Sequence, residues 1–303
     1  MNILLYQLKL LLLFPLYLVK LFIYRLKTDS DNLPGKEFAE FGYKIGFRLL
    51  IKGKFSPKLL LNPVSIVRYF EFSFVRSSLK LIENMKILDV SSPFLFGFYL
   101  CKKEGLNYSY INPDKRDLYN VQSLANKLDF SGSYTTVFAD SRTLDFTDNT
   151  FDVVLSISVI EHVNNSDDSM VMKELWRVIK PGGLLVLTFP VKQVYEEEFR
   201  DDDIYNLNTV KKEEGFFFQR IYDEENINKR LLSSLDNFKI VEKKVFGEIT
   251  NGFYDEYKKR WEKTGYWETV KDPYYISKEF KYFPGINDLT GLGVMGLTIK
   301  KSL

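Results

Sequence analysis

The 303-residue chain contains one histidine, His162, and it follows Glu161 directly. An imidazole ionises near neutrality, so His162 can take a proton from a hydroxyl or ammonium nucleophile at physiological pH. Glu161 and His162 are therefore the candidate catalytic pair. An ordinary structural role, opening the next helix or ordering its loop, competes with that reading. Two carboxylates, Asp89 and Asp140, and the amide of Asn112 lie at or just past the ends of short apolar runs. One histidine and one cysteine, Cys101, exclude a multi-histidine or cysteine-cluster metal site, and no metal is assigned. Cys101 can form no intramolecular disulfide, which suits a reducing compartment.

The elements that must position these groups can be read from the hydrophobic pattern. Phe151 to Ile157 is an apolar run with Val153, Val154, Leu155 and Ile157, suited to a strand buried on both faces. A helix is predicted over Val171 to Ile179, then a Pro181-Gly182-Gly183 turn and a strand over Leu184 to Phe189. Strand, helix, turn and strand make the βαβ unit of an open α/β sheet. Further strands are predicted near 86–90, 108–112, 134–138, 238–246 and 291–300, with a helix over Leu118 to Leu128. Open α/β sheets bind ligands at the carboxyl ends of their strands, where the candidate residues fall.

The ordered phrases Asp140, then Asp148-Asn149-Thr150-Phe151-Asp152-Val153-Val154, then Glu161-His162-Val163, then Arg177 to Gly183 carry a resemblance. Across residues 86–190 the chain resembles the class I S-adenosylmethionine-dependent methyltransferases. The resemblance implies a Rossmann-like, mostly parallel seven-stranded sheet with helices on both faces and the last strand antiparallel. It implies S-adenosylmethionine across the ends of the strands finishing at Val90, Asn112 and Phe138. In that family a D-x-G-x-G-x-G phrase ends the first strand. Here Ser91, Pro93 and Leu95 stand at the three glycine positions, and Gly97 falls two residues late. Asp89, Ser91 and Gly97 are the cofactor candidates in this loop. Asn112, or Tyr110 or Asp114 in a shifted register, stands where the family places a carboxylate on the ribose. Asp140 and the Ser141 backbone stand where it recognises adenine.

Outside that stretch the chain is more individual. Ile3 to Ile23 is strongly apolar, interrupted by Gln7, Lys9, Pro15 and Lys20, and followed by Arg25 and Lys27. A spanning helix, an in-plane amphipathic helix and a helix buried on the domain compete; a cleaved signal peptide lacks its small-residue site. At helical spacing Lys9, Lys20 and Lys27 share a narrow sector with Asn2 beside them. Residues 1–60 carry ten Lys and Arg against four Asp and Glu, although the whole chain is only +2. Local basic charge beside an apolar segment suits an anionic cytoplasmic membrane face, and the small total gives no case for nucleic acid. The domains expected are an apolar helix 1–28, a basic helical region 29–84, and a methyltransferase-like domain 85–303. Inserts are expected at about 191–222, as a hairpin or lid, and at 250–288, an aromatic segment that the resemblance implies covers the substrate, with a helical cap holding its own aromatic core as the competing reading.

These features lead to an expected methyl transfer from S-adenosylmethionine to a small-molecule or glycan-type acceptor, in the cytoplasm at the inner face of a membrane. A non-catalytic scaffold on the same fold is the alternative, favoured by the missing glycines and by Asn112. A different nucleotide- or sugar-binding α/β enzyme has no phosphate loop or nucleophile elbow to support it.

Overall fold

The computed structural model describes residues 3–80, 82, 84–164, 167–203 and 211–303, with only the backbone of residues 3–9 and 11. The side chain of Lys9, the whole of Asn2, and residues 204–210 of the first insert thus lie outside the described residues. In chain order the helices are α1 Ile3–Lys27, α2 Lys36–Ile51, α3 Pro57–Leu61, α4 Arg68–Ser78, α5 Phe94–Tyr99, α6 Lys115–Ala125, α7 Asp168–Val178, α8 Glu224–Asn226, α9 Phe253–Thr264, α10 Tyr266–Thr269 and α11 Asp272–Glu279. The strands are β1 Lys86–Val90, β2 Asn107–Asn112, β3 Ser133–Phe138, β4 Phe151–Ile157, β5 Ile179–Val191, β6 Glu196–Arg200, β7 Phe216–Ile221, β8 Phe238–Glu248, β9 Phe280–Phe283 and β10 Gly293–Lys301. They form two compact units, Met1–Ser73 with Glu248–Lys281, and Phe74–Gly247 with Tyr282–Leu303.

The larger unit is built on an eight-stranded sheet in the order β3-β2-β1-β4-β5-β10-β8-β9. β1 pairs in parallel with β2 and β4, β2 with β3, and β4 with β5. β10 runs antiparallel to both β5 and β8, as the resemblance implied. The short β9 adds an eighth strand to the seven expected. Between β1 and β4 the strand order reverses, so the connections leaving these two strands go to opposite sides and open a crevice at their carboxyl ends. Val153, Val154, Leu155 and Ile157 are all buried, and Val154 shares a core with Leu88, Leu185, Leu187 and Trp176. Pro181-Gly182-Gly183 is not a free turn before β5. The pairing runs Phe151 with Ile179 and then Val153 with Leu184, so these residues bulge out within the strand. Gly182 there has φ +80°, and a Cβ on Gly183 would sit 2.8 Å from the Asp152 carbonyl oxygen.

In the smaller unit α1 is one helix that continues through Pro15. Leu10, Tyr17 and Leu21 are buried against Leu61 and Val270, with Tyr43 and Tyr266 beside them. No described helix is long and apolar enough to cross a membrane. Among the side chains described, from Leu10 on apart from Leu11, packing takes up one face of the helix. The opposite face remains open, with Leu12 71% exposed, Phe22 63% and Leu26 72%, and Leu16, Val19 and Ile23 alongside. Lys20 does not point to this outer side as a headgroup ligand. Its ammonium donates to the Trp267 carbonyl at 2.5 Å and lies 3.8 Å from the centroid of that ring, and burial lowers its pKa to about 8. The aromatic insert of residues 248–281 belongs to this unit with the N-terminal helices.

Candidate active site

Four connections leave the parallel strands at one edge, and each candidate residue lies near the end of a strand or in the connection that follows it. After β1, Ser91, at the family's first glycine position, takes a left-handed backbone with φ +54°, a conformation glycine adopts most readily. Both its N–H and its hydroxyl donate to the Ile111 carbonyl, at 2.9 and 3.0 Å. Asp89 is fully buried, where it accepts from Ser92 N–H at 3.0 Å and from the Tyr108 hydroxyl. Burial raises its carboxyl to about 6. Ser92 in turn accepts from Ile157 N–H at 2.9 Å, tying the β1 turn to the end of β4. Gly97 is not a loop glycine. It sits inside α5, where a Cβ would come within 2.5 Å of the Tyr108 ring and 2.8 Å of the Tyr134 ring. Close packing of α5 on the sheet, rather than ligand approach, requires glycine there.

At the end of β2, Asn112 accepts from Asp114 N–H at 2.8 Å and donates to Asp117 Oδ2 at 2.8 Å and to the Tyr110 hydroxyl oxygen at 3.0 Å. Tyr110 donates to the same Asp117 oxygen at 2.9 Å. A carboxylate is thus present beside Asn112, but it comes from the first turn of α6. Asp114 is the N-cap of that helix, accepting from Arg116 N–H at 2.8 Å. After β3, Asp140 opens a tight turn closed by Thr143 N–H, with Ser141 at its second position. The Arg142 guanidinium grips Asp140 at 2.6 to 3.1 Å and reaches Asp167 at 3.1 Å. Those hydrogen bonds hold the Asp140 carboxyl below its ordinary range.

After β4, Ser158 also has a left-handed backbone, φ +48°, and its N–H donates to the Thr188 carbonyl at 2.9 Å. This sharp exit leads into the single turn Ile160–His162. Glu161 is buried. His162 Nδ1 lies 2.7 Å from the carbonyl oxygen of Phe218. A carbonyl only accepts, so Nδ1 carries the proton, and in neutral imidazole Nε2 then holds the lone pair. That Nε2 is 3.7 Å from Glu161 Oε1.

Phe218 belongs to the β6–β7 hairpin, which matches the hairpin expected of the first insert. The same hairpin delivers Arg220, buried, whose guanidinium donates to the Val163 carbonyl and lies 3.5 Å from Glu197 and 4.0 Å from Asp168. Asp168, also buried, accepts from Arg230 at 2.8 and 2.9 Å and from the Tyr222 hydroxyl at 3.1 Å. The sequence reading missed Asp117, Arg142, Asp168 and Arg220. The first two were legible as local partners two or five residues from named candidates. The last two meet only through the hairpin.

The matching family model, described as a methyltransferase domain, covers residues 88–187. Its span begins in β1 and ends in β5, and so contains the crevice and every group placed there except those of the hairpin. Residues 88–187 are a class I methyltransferase domain. The chain is 36% identical over 87 residues to an uncharacterized methyltransferase of Mycolicibacterium vanbaalenii, covering 29% of this chain and 32% of that one. It is 27% identical to phosphoethanolamine N-methyltransferase of Plasmodium falciparum, over 46% of this chain and 53% of the relative. It is 26% identical to a ubiquinone biosynthesis O-methyltransferase of Pelagibacter ubique, over 45% and 56%. The chain thus spans from about a third to just over half of these relatives. Among solved structures, the MccD protein superposes with TM-score 0.52 at 14% identity, over 79% of this chain and 99% of that one. This likeness is one of fold.

The cofactor of class I methyltransferases is S-adenosylmethionine. The residues of this domain fit it at three places. Ser91 holds a left-handed turn at the first glycine position, Asp117 places a carboxylate next to Asn112, and Asp140 stands half-exposed just past β3 with its acceptor oxygens ordered by Arg142. Asp89 fits less directly, because Tyr108 and Ser92 already occupy its oxygens.

Proposed function

We propose that this protein transfers a methyl group from S-adenosylmethionine to a small-molecule or sugar-containing acceptor at a membrane surface. The observation that carries the reading is the His162 turn. The chain's one imidazole is fixed at the ligand edge of a methyltransferase domain by the hydrogen bond its Nδ1–H donates to the Phe218 carbonyl of the hairpin. Bound S-adenosylmethionine supplies an activated methyl group on sulfur, so the protein mainly aligns the partners and excludes water. The tight turn at Asp140 and the Asn112–Asp117 pair hold the adenosine end. The Ser91 turn shapes the floor of the methionine end. His162, oriented through Nδ1, presents Nε2 to the acceptor's proton, and Glu161 stabilises the imidazolium that results. The β6–β7 hairpin, fixed by Arg220, keeps water from that side.

The membrane part of the reading rests on the smaller unit. The outer face of α1 exposes Leu12, Leu16, Val19, Phe22, Ile23 and Leu26 in one stripe, and α2 exposes Phe47, Leu50 and Ile51 among Lys44, Arg48 and Lys52. An apolar stripe in a basic surround suits a helix lying in an anionic interface.

The second reading is a non-catalytic scaffold on this fold. It is favoured by the side chains of Asp89 and Asn112, both engaged within the protein. Calorimetric titration of the intact protein with S-adenosylmethionine separates the two. Saturable binding, followed by transfer of labelled methyl into a membrane-lipid or glycan extract, supports the enzyme; no heat at millimolar cofactor supports the scaffold.

A further inference from the structure

The smaller unit holds a cavity of about 440 Å³ that takes no part in methyl transfer as described above. Its volume lies in the range of small-ligand sites. Two cations line it, Lys58 from α3 and Arg68 from the start of α4; Arg68 also pairs with the buried Glu71. Its aromatic walls are Tyr254 and Trp261 from α9 and Tyr266 from α10. The floor is rigid. Asn62 and Tyr257, both lining the cavity, donate to buried Asp272 at 2.9 and 2.8 Å, and Ile66 N–H donates to it at 3.1 Å. Thr269 also lines the cavity, and its buried hydroxyl has no hydrogen-bond partner. A buried polar atom without a partner costs stability unless a ligand or water meets it.

We propose that this cavity binds a phosphate-bearing polar headgroup, with the phosphate at Lys58 and Arg68 and the remainder against the aromatic rings. Cations on one wall and rings on the others match a ligand with a charged end and a weakly polar body. Charge on the floor does not oppose this, because burial raises the Asp272 carboxyl to about 8 and leaves it mostly protonated at neutral pH. Two sources offer this chemistry, a soluble phosphorylated metabolite and a phospholipid in a bilayer. The wall favours neither exclusively, although Tyr266 also packs against Tyr17 of α1, at 6.5 Å between centroids, on the helix whose outer face is apolar.

The test uses the full chain and two probes, glycerol 3-phosphate in calorimetry and vesicles of phosphatidylcholine with or without phosphatidic acid in co-sedimentation. Lys58 and Trp261 are exposed at the rim, so Lys58→Gln and Trp261→Ala should fold, checked by thermal melting. Binding of glycerol 3-phosphate weakened about fivefold or more by both variants supports a soluble ligand, as loss of a charge-assisted bond or a ring contact predicts. Binding only to phosphatidic acid vesicles, weakened to the same degree by both variants, supports the lipid. Trp261→Ala leaves the net charge unchanged, so its effect cannot come from general surface attraction. Absence of binding to either probe, or binding that both folded variants retain at full strength, overturns the proposal.

Discussion

His162 Nδ1 and the carbonyl oxygen of Phe218 lie 2.7 Å apart, and this contact joins the β4 exit to the β6–β7 hairpin. It sets the tautomer, and so decides which nitrogen an acceptor meets. His162→Gln keeps polar bulk but offers no base. Methyl transfer should fall about a hundredfold or more, the usual size of a general-base contribution, while calorimetric affinity for S-adenosylmethionine stays within about twofold. Equal losses of both would show that His162 is structural.

Asp140, which the proposed function sets at the adenosine end, pairs with Arg142 at the surface. Asp140→Ala should weaken cofactor binding about tenfold, the size of one charge-assisted hydrogen bond. Because the Asp140–Arg142 pair is largely solvent-exposed, the melting temperature should change little. Calorimetry beside a thermal melt separates these; unchanged affinity would remove Asp140 from the site.

Restoring the family's carboxylate at Asn112 should not improve the domain. Asn112 Nδ2 donates to Asp117 Oδ2 at 2.8 Å, so Asn112→Asp sets two carboxylates against each other. Like charges at that distance raise a carboxyl pKa, and the variant should be less stable than wild type at pH 7 and recover near pH 4, where one carboxyl is protonated. Melting curves at the two pH values check the sign. A variant as stable as wild type at pH 7 would mean that the loop rearranges.

Asp272 is the buried hub of the smaller unit, and burial pushes its carboxyl up to about 8. In the unfolded chain it returns to about 3.9. Between those values the folded state holds a proton that the unfolded state has lost, so this group's contribution to stability falls as pH rises through the window. Asp272→Asn keeps an oxygen for Asn62 and Ile66 and cannot ionise, so it stands in for the neutral acid. The melting temperature of the variant, relative to wild type, should therefore rise steadily from pH 5 to pH 8. A constant difference across that range would show that Asp272 is ionised when folded.

The sheet was legible because its strands are buried on both faces, so Val153, Val154 and Leu155 left a continuous apolar signature and the turns left theirs. The strand-end residues followed from chain direction together with the family resemblance. Gly97 was misplaced because a glycine required by two tyrosine rings across α5 looks, in sequence, the same as one required by a ligand. Arg220 and Asp168 escaped because 51 residues separate them and no periodicity links them; the hairpin that brings them within 4.0 Å is a tertiary event. The first helix misled in part because composition reports how apolar a segment is and not which of its faces the fold already uses.

That helix supplies the last prediction. Because Leu10, Tyr17 and Leu21 are core residues, deleting residues 1–28 should not give a well-behaved soluble protein. It opens a cavity against Leu61 and Val270 and should destabilise the smaller unit by several kcal/mol, since each large buried apolar side chain lost costs about 2–5 kcal/mol. The outer stripe can be tested without touching the core. Leu16→Ser and Phe22→Ser alter exposed side chains, so the melting temperature should stay within a few degrees of wild type. If the stripe lies in a membrane interface, each substitution removes about 1.5–3 kcal/mol of burial there. The double variant should then lose co-sedimentation with anionic vesicles by tenfold or more. High salt should weaken binding of the wild type without abolishing it, because only the basic surround is screened. Vesicle binding that survives the double variant, or a wild type that never binds vesicles, would leave the stripe without a membrane role.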